Sequence, residues 1–486
     1  MMTNFKIYKY KNGILFVALS ILFLNCNVPK ATIIKGKISE NIPSNFLQHT
    51  EIDTEKNHEI ITWKQFFTDS NLTNLINIAL NNNQDLLIVL QEINISKADV
   101  LLKKGKIMPS FTARTGSGFE KVGRYTSTGA GDASTDMTPG KKVPDILGEF
   151  SGGFMAVWEA DIWKKLRNEK ESAISHYLAT IEGKNFVLSN LIAEIANNYY
   201  ELLSLDNQLD IIQQYIKLQN KALEISKVQK QAAAATELAV KKFEAELVKS
   251  KASEFELQQE ITEKENQINL LLGRYPQPII RSKEAFMNTK PLSISNGIPS
   301  QLLNNRPDIK QAELELKATK LDVEVARKEF YPSLDITASL GLEAFKPTFL
   351  AKLPESIAFG LAGDLVGPII NKSAIKANFQ AANARQIQAM YEYEKRILGA
   401  FIEVVNLMTK EKNINEYYQL KSQEVAHLEQ AIDIANILFK NSRADYLEVL
   451  LNQRDALDAK LDLISTKEKQ LTTIVNLYKS LGGGWQ

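Results

Sequence analysis

Cys26 is the only cysteine of the chain, and its setting points to one reaction, acylation of its sulfur. Lys6, Lys9 and Lys11 precede the apolar run Ile14 to Leu24. That run is too short to cross a bilayer as a helix and fits the hydrophobic region of an export signal, residues 1–25. Cys26 stands just beyond it, where a bacterial lipoprotein signal places the cysteine that is acylated and becomes the mature N-terminus. Asn25 departs from the Gly, Ala or Ser preferred at its site, and Asn27 is not the Asp that commonly signals retention at the inner membrane. Ordinary cleavage nearby, with an incidental cysteine, is the alternative.

The other candidate groups assemble into no reaction. His49, His58, His176 and His427 show no metal-ligand spacing, and a lone cysteine supplies neither a thiolate site nor an intrachain disulfide. His58-Glu59 lacks the second histidine of a zinc-protease helix, and no GxGxxG, Walker A or GxSxG pattern occurs. Glu263 and Glu265 suit a solvated helix face. In Arg306-Pro307-Asp308 the proline fits a first helical position and the aspartate the positive end of a helix. No metal, no cofactor and no enzymatic activity are expected. With Lys+Arg 58 against Asp+Glu 57 the chain also lacks the basic footprint of a nucleic-acid binder.

What positions these residues is set by where the breakers fall among 486 residues. No proline occurs between Pro144 and Pro276 or after Pro368, and Gly183 and Gly399 are the only glycines inside the spans 154–272 and 368–481. Such spans, rich in Ala, Leu, Glu, Lys and Gln, read as long helices. By contrast, ten glycines crowd between Gly105 and Gly153. There, 110–124 and 148–160 read as strands around a polar loop, 125–147. A second hairpin is expected at 333–345 and 356–369, where Leu334, Ile336, Ala338, Leu340 and Leu342 alternate with polar residues or glycine.

The chain is also a tandem repeat. Asn83-Gln-Asp-Leu leading to Met108-Pro-Ser-Phe is matched by Arg306-Pro-Asp-Ile leading to Tyr331-Pro-Ser-Leu; Ala235-Thr-Glu-Leu leading to Leu272-Gly is matched by Ala444-Asp-Tyr-Leu leading to Leu481-Gly. The expected organisation is an N-terminal segment 26–71, a first repeat 72–273, a linker 274–300, a second repeat 301–482 and a tail 483–486. In the first repeat, helices 72–107 and 236–272 would stack end to end beside a long helix, 164–231. Apolar residues recur every three or four positions from Leu188 to Leu223 and from Leu447 to Tyr478, the spacing of coiled-coil packing.

Beyond the signal no segment could be a transmembrane helix, so a membrane crossing would have to use the two hairpins. Four strands leave edges that lipid does not tolerate, so closure needs several copies, and three would supply twelve strands.

Four stretches carry a resemblance: Ile298-Pro-Ser-Gln-Leu-Leu-Asn-Asn-Arg-Pro-Asp-Ile, Ala326 to Leu334 (ARKEFYPSL), Trp158-Glu-Ala-Asp-Ile-Trp, and Leu477-Tyr-Lys-Ser-Leu-Gly-Gly-Gly-Trp. In this order and spacing the chain resembles, nearly full length, the TolC-like outer-membrane efflux proteins, in the NodT-type lipoprotein branch serving resistance-nodulation-division pumps. The resemblance implies a mainly α fold with a membrane β-barrel: a homotrimer whose long helical hairpins form an α-barrel below a twelve-stranded β-barrel, four strands per chain. It implies a passive conduit, lipid-anchored in the outer membrane of a Gram-negative bacterium, whose partners are outer-membrane lipid, a periplasmic adaptor and an inner-membrane pump. A type I secretion conduit of the same fold and a periplasmic coiled-coil scaffold are the alternatives.

The resemblance also implies sites. The helical tips around Ala232, Ala235, Thr236 and Leu238 and around Asn441, Ser442, Arg443 and Ala444 would dock the adaptor, although both lack the customary glycine. The family often carries Leu-Asp-Ala-Gln-Arg after the second tip, its Asp lining the periplasmic constriction; here Leu450-Leu451-Asn452-Gln453-Arg454 stands instead. Leu447 and Leu451 are then expected to form two stacked apolar rings. Asp445 or Glu448 would keep some cation preference, and Arg454 would reach Glu448 only through another helix.

Mass spectrometry of the mature N-terminal peptide should find Cys26 acylated; an unmodified Cys26, or a mature start elsewhere, would exclude the assignment.

Overall fold

The computed structural model describes residues 28–32, 43, 45–46, 61–289, 299–368, 372–441 and 443–486, without the side chain of Thr138. The signal, Cys26 and Ser442 lie outside the described residues. Helices α1 (Trp63–Phe66), α2 (Ser70–Asn82) and α3 (Gln84–Ile107) lead into strand β1 (Ser110–Glu120). α4 (Ser127–Ser134), β2 (Asp136–Thr138) and β3 (Lys141–Lys142) precede β4 (Leu147–Ala160), and α5 (Lys165–Gln231) and α6 (Glu237–Leu271) end the first half. The second half repeats the order with α7 (Gln301–Asn305), α8 (Pro307–Lys328), β5 (Ser333–Ala344), α9 (Pro347–Leu350), β6 (Ile357–Val366), α10 (Ser373–Lys440) and α11 (Tyr446–Ser480). The chain is thus mainly helical with one four-stranded antiparallel sheet, ordered β1-β4-β5-β6.

Two expectations change. The polar run 125–147 is more than a loop: Thr126 caps α4, its hydroxyl accepting from the Gly129 amide at 3.1 Å, and β2 pairs with β3. Gly129 is required there because a Cβ would fall 2.2 Å from the Gly123 carbonyl. The helix expected over 72–107 is interrupted at Asn83, whose Oδ1 accepts from the Leu86 amide at 2.9 Å and so starts a second helix.

The residues sort into two compact units. One comprises 95–177 and 314–390 with the segment 28–32, and contains the sheet. Here Val323, Ala326 and Phe330 of α8 bury themselves against Phe379 and Ala382 of α10, and Val28 and Ala31 pack on the same cluster. The Thr32 amide donates to Asn383 Oδ1 at 2.9 Å.

The other unit comprises, among its described residues, 43, 45–46, 61–94, 178–289, 299–313, 391–441 and 443–486. Its largest core joins Trp63, Phe66, Leu72 and Ile76 to Ile192, Ile195, Tyr199 and Leu202 of α5 and to Ile474 and Tyr478 of α11. The α5 positions follow the expected repeat. In α11 the repeat holds at Ile464, Leu471, Val475 and Tyr478, but toward its start Val449, Gln453 and Ala456 are buried while Leu447 and Arg454 are exposed. The neighbouring helices therefore meet α11 along small side chains such as Ala456 and Ala459, which permit close approach.

In this unit helix ends meet, as expected, and the two repeats solve the junction with different chemistry. Asn83 Nδ2 donates to the Leu271 carbonyl at 2.9 Å, and Gly273 has φ +64° with no room for a Cβ, which would lie 2.3 Å from the Asn82 carbonyl. In the second repeat Arg306 replaces Asn83. Its guanidinium reaches both Asp308 carboxylate oxygens at 3.0 and 2.9 Å, Glu403 at 2.7 Å and the Ser480 carbonyl at 3.0 Å. Gly482, at φ +97°, likewise has no room for a Cβ, which would lie 2.6 Å from the Asn305 carbonyl. Pro307 begins α8 and Asp308 sits in its first turn, as the sequence suggests.

Arg306→Met should destabilise the protein by about 3 kcal/mol, because Asp308 would keep a buried charge and a C-terminal helix carbonyl would lose its donor. Thermal unfolding followed by helical circular dichroism checks this; a midpoint equal to wild type would show that the junction is held elsewhere.

Candidate functional site

The four strands sort most of their side chains by face, with Met155 and Val157 among the apolar exceptions on the polar side. The register joins Phe111, Ala156, Ala338 and Leu361 in one row, Ala113, Phe154, Leu340 and Phe359 in the next, and Thr115, Gly152, Leu342 and Ile357 in a third. That face is apolar and outward; Phe359 is 82% exposed. The opposite face carries Ser110, Thr112, Arg114, Ser151, Glu159, Asp335, Thr337, Ser339, Glu343 and Asp364. In the row Arg114, Gly153, Gly341 and Ala358 the two central strands are bare: a Cβ on Gly153 would lie 2.5 Å from the Gly341 Cα, so the backbones of β4 and β5 approach too closely there for any side chain. Such glycines mark a strongly coiled sheet.

Aromatic residues bound the apolar face at both ends. At the helix end Trp158 Nε1 donates to the Ile107 carbonyl at 3.0 Å and Trp163 Nε1 to the Pro332 carbonyl at 2.8 Å. Trp163 also stacks on Tyr331 with centroids 5.1 Å apart. At the other end Phe119 meets Phe150 edge to face at 6.1 Å, and Phe345 meets Phe349 at 5.1 Å. Paired aromatic girdles around an apolar band are the signature of strands that cross a membrane. The alternation was legible in the sequence, whereas the girdles depend on register.

Both helical tips close with the same backbone motif. The Ala234 amide donates to the Gln229 carbonyl at 2.8 Å, and the Arg443 amide to that of Leu438 at 2.9 Å. In the first tip Ala233 stands where glycine is usual and takes φ +58°, a left-handed conformation that costs an alanine about 1 kcal/mol. Thr236 caps α6 through the Ala239 amide at 3.3 Å, and Lys230 pairs with Glu237. Gln229 Nε2 donates to the Phe439 carbonyl at 3.1 Å, tying one tip to the other. Ala232, Thr236, Leu238, Asn441 and Arg443 are exposed; Ala235 and Ala444 are half-buried.

On α11, Leu447 is 50% and Leu451 39% exposed, so neither packs into a core of its own chain. Asp445 precedes the helix without capping it, and Glu448 lies in its first turn. Arg454 does not reach Glu448. It pairs with its neighbour Asp455, at 2.8 Å, because both project from the same exposed side. Asp455, Asp458 and Asp462 continue the exposed or half-buried side of α11, facing Glu424 and Lys421 of α10 across a groove.

One cluster was not legible from spacing. His176 Nδ1 lies 2.8 Å from Glu315 Oε2, and Nε2 lies 3.9 Å from Asp322 Oδ2. Ser172 Oγ donates to Asp322 Oδ1 at 2.6 Å. The carboxylates of Asp322 and Glu315 hold the imidazole proton against partial burial, pushing its pKa up to about 10. Asp322, although burial opposes its ionisation, is held below the usual carboxylate range by His176 and Ser172.

The model of the family described as outer membrane efflux protein matches residues 75–274 and 298–483. The cation efflux system protein CusC of Escherichia coli is 26% identical over 442 residues, covering 90% of this chain and 92% of that protein. The pyoverdine export outer membrane protein OpmQ of Pseudomonas aeruginosa is 27% identical over 429 residues, 88% of each. Among solved structures, the Campylobacter jejuni CmeC outer membrane channel superposes with a TM-score of 0.81 at 21% identity, covering 94% of both chains.

The pKa of His176 is raised on folding, so its contribution to stability is complete below about pH 6.5 and is lost as the pH rises through about 10. His176→Gln should therefore lower the thermal midpoint at pH 6 and do so progressively less toward pH 10. A deficit independent of pH would show that the ion cluster is not its cause.

Proposed function

The chain belongs to the outer membrane efflux protein family, and from that premise we propose that three copies close one continuous conduit anchored in the outer membrane through Cys26. It is the outer-membrane channel component of an efflux system, a passive route and not an enzyme. The observation that carries the oligomer is the sheet: one face apolar, the other polar, and unpaired edges along Ser110–Glu120 and Ile357–Val366. In lipid those edges need partners, and β1 of one copy against β6 of the next supplies them, with the polar face lining the lumen. Exposed Ile88, Ile95 and Leu102 add a heptad-spaced apolar stripe on α3 that a neighbouring copy would cover.

The mature N-terminus supports the anchor. Val28 and Ala31 pack beside Phe330, just ahead of β5, so an acyl chain on Cys26 would start near the base of the strands. The repeats 72–273 and 301–482 would each contribute one helical hairpin to an α-barrel. Their tips, Ala232, Ala235, Thr236 and Leu238 with Asn441, Ser442, Arg443 and Ala444, would dock a periplasmic adaptor that joins the conduit to an inner-membrane resistance-nodulation-division pump. Relatives are named for cargoes as different as cations and pyoverdine, in keeping with a conduit that leaves cargo choice to the pump.

The gate is assigned to Leu447 and Leu451. They lie one helical turn apart and outside the core of their own chain, and threefold symmetry would stack them as two rings that close by packing and dewetting. Asp445 and Glu448 would bias the entrance toward cations, while Arg454 is neutralised by Asp455. Cross-linking in mild detergent should trap a trimer, and Leu447→Ser with Leu451→Ser should raise resting single-channel conductance at least several-fold. A clean monomer without conductance would defeat the conduit; unchanged conductance in the double variant would defeat the gate alone.

A further inference from the structure

The turn between β5 and β6 ends the sheet in a compact basic and aromatic patch. Lys346 and Lys352 hold their ammonium groups over the same ring, that of Phe349, at 5.9 and 4.7 Å from its centroid. Phe345 buttresses that ring edge to face. Both lysines are exposed, and among the described residues neither is paired with a carboxylate. The contrast is with the β1–β4 connection, where Arg124 pairs with Asp145 and Lys142 with Asp136. A ring fixes a cation's position without neutralising it. Two ammonium groups are therefore gathered about one ring, with the apolar face of the sheet directly adjoining: Leu353 is 62% exposed, and Ile357 and Phe359 follow it.

We propose that this patch binds the headgroup phosphates of lipid in the outer leaflet, with acyl chains lying on Leu353, Ile357 and Phe359. The charges match: lysine ammonium groups act as point charges for phosphate oxygens. The position matches as well, because the patch continues the lipid-facing surface past its aromatic girdle, at the end of the strands away from their helices. Each copy would thus fasten one anionic lipid beside its own edge strand β6. This rests on the outer-membrane placement of the sheet.

The probe is lipid A, which carries phosphates on a lipid, added to phosphatidylcholine discs containing the full-length mature protein. Native mass spectrometry reads how much lipid A each assembly retains. Lys346→Gln and Lys352→Gln should each weaken retention about five-fold and together about thirty-fold. Lys352→Arg should retain it, and Phe349→Leu should weaken it, because the ring that places both ammonium groups is gone. Single-channel conductance should be unchanged in all five variants, which separates failure here from failure of the conduit assignment. Equal retention by the double variant, equal retention of dephosphorylated lipid A, or full competition by millimolar inorganic phosphate would each overturn the lipid assignment. A wild-type protein that forms no channel would overturn the placement on which it rests.

Discussion

Backbone hydrogen bonding in lipid constrains this protein more tightly than any side-chain contact. In β1 and β6 the inward side of each strand is paired, with Ser110 through Glu120 on β4 and Ile357 through Val366 on β5. Among the described residues their outer sides are not, and hydrocarbon offers no water to satisfy them. The alternation of apolar and polar rows, the bare Gly153–Gly341 contact and the aromatic ends of the sheet all serve a strand wall that must curve and join another. An isolated copy of such a wall would be an exposed edge in the sense that soluble proteins avoid.

A similar demand governs the helices, where the last carbonyls of one helix and the first amides of the next need partners. The two repeats meet it at corresponding places with different groups. Asn83 uses its amide, both donating to Leu271 and accepting from Leu86; Arg306 uses a guanidinium balanced by Asp308 and Glu403. Glycines at positive φ follow both long return helices because Asn82 and Asn305 press against the backbone there. Duplicated topology has been retained while the side-chain chemistry diverged.

The helical tips and the start of α11 show the opposite pattern. Ala233 accepts a strained conformation, Gln453 is 2% exposed with neither amide atom hydrogen-bonded among the described residues, and Leu447 and Leu451 remain uncovered. Local strain, an unsatisfied buried amide and exposed leucines make this the least internally satisfied part of the described helices, the segment to which the proposed docking and gating are assigned.

The sequence alone determined the order of the long helices and the four sheet strands, the two hairpins and the tandem repeat, because these follow from local signals: glycine and proline punctuation, period-two alternation and recurring motifs; the short α4, β2 and β3 and the break at Asn83 did not stand out. It also sufficed for the long helices, since nothing between Lys165 and Gln231 or between Ser373 and Lys440 interrupts them. Only the tertiary structure decided which side of α11 is buried: Val449, Gln453 and Ala456 face the neighbouring helices while Leu447 and Arg454 stay exposed, an arrangement set by helix-helix contact and not by hydrophobic spacing. Only it joined His176 to Glu315 and Asp322, and Lys346 and Lys352 to one phenyl ring. Such groupings depend on register and on helix-helix contact, which bring together residues that no sequence spacing relates.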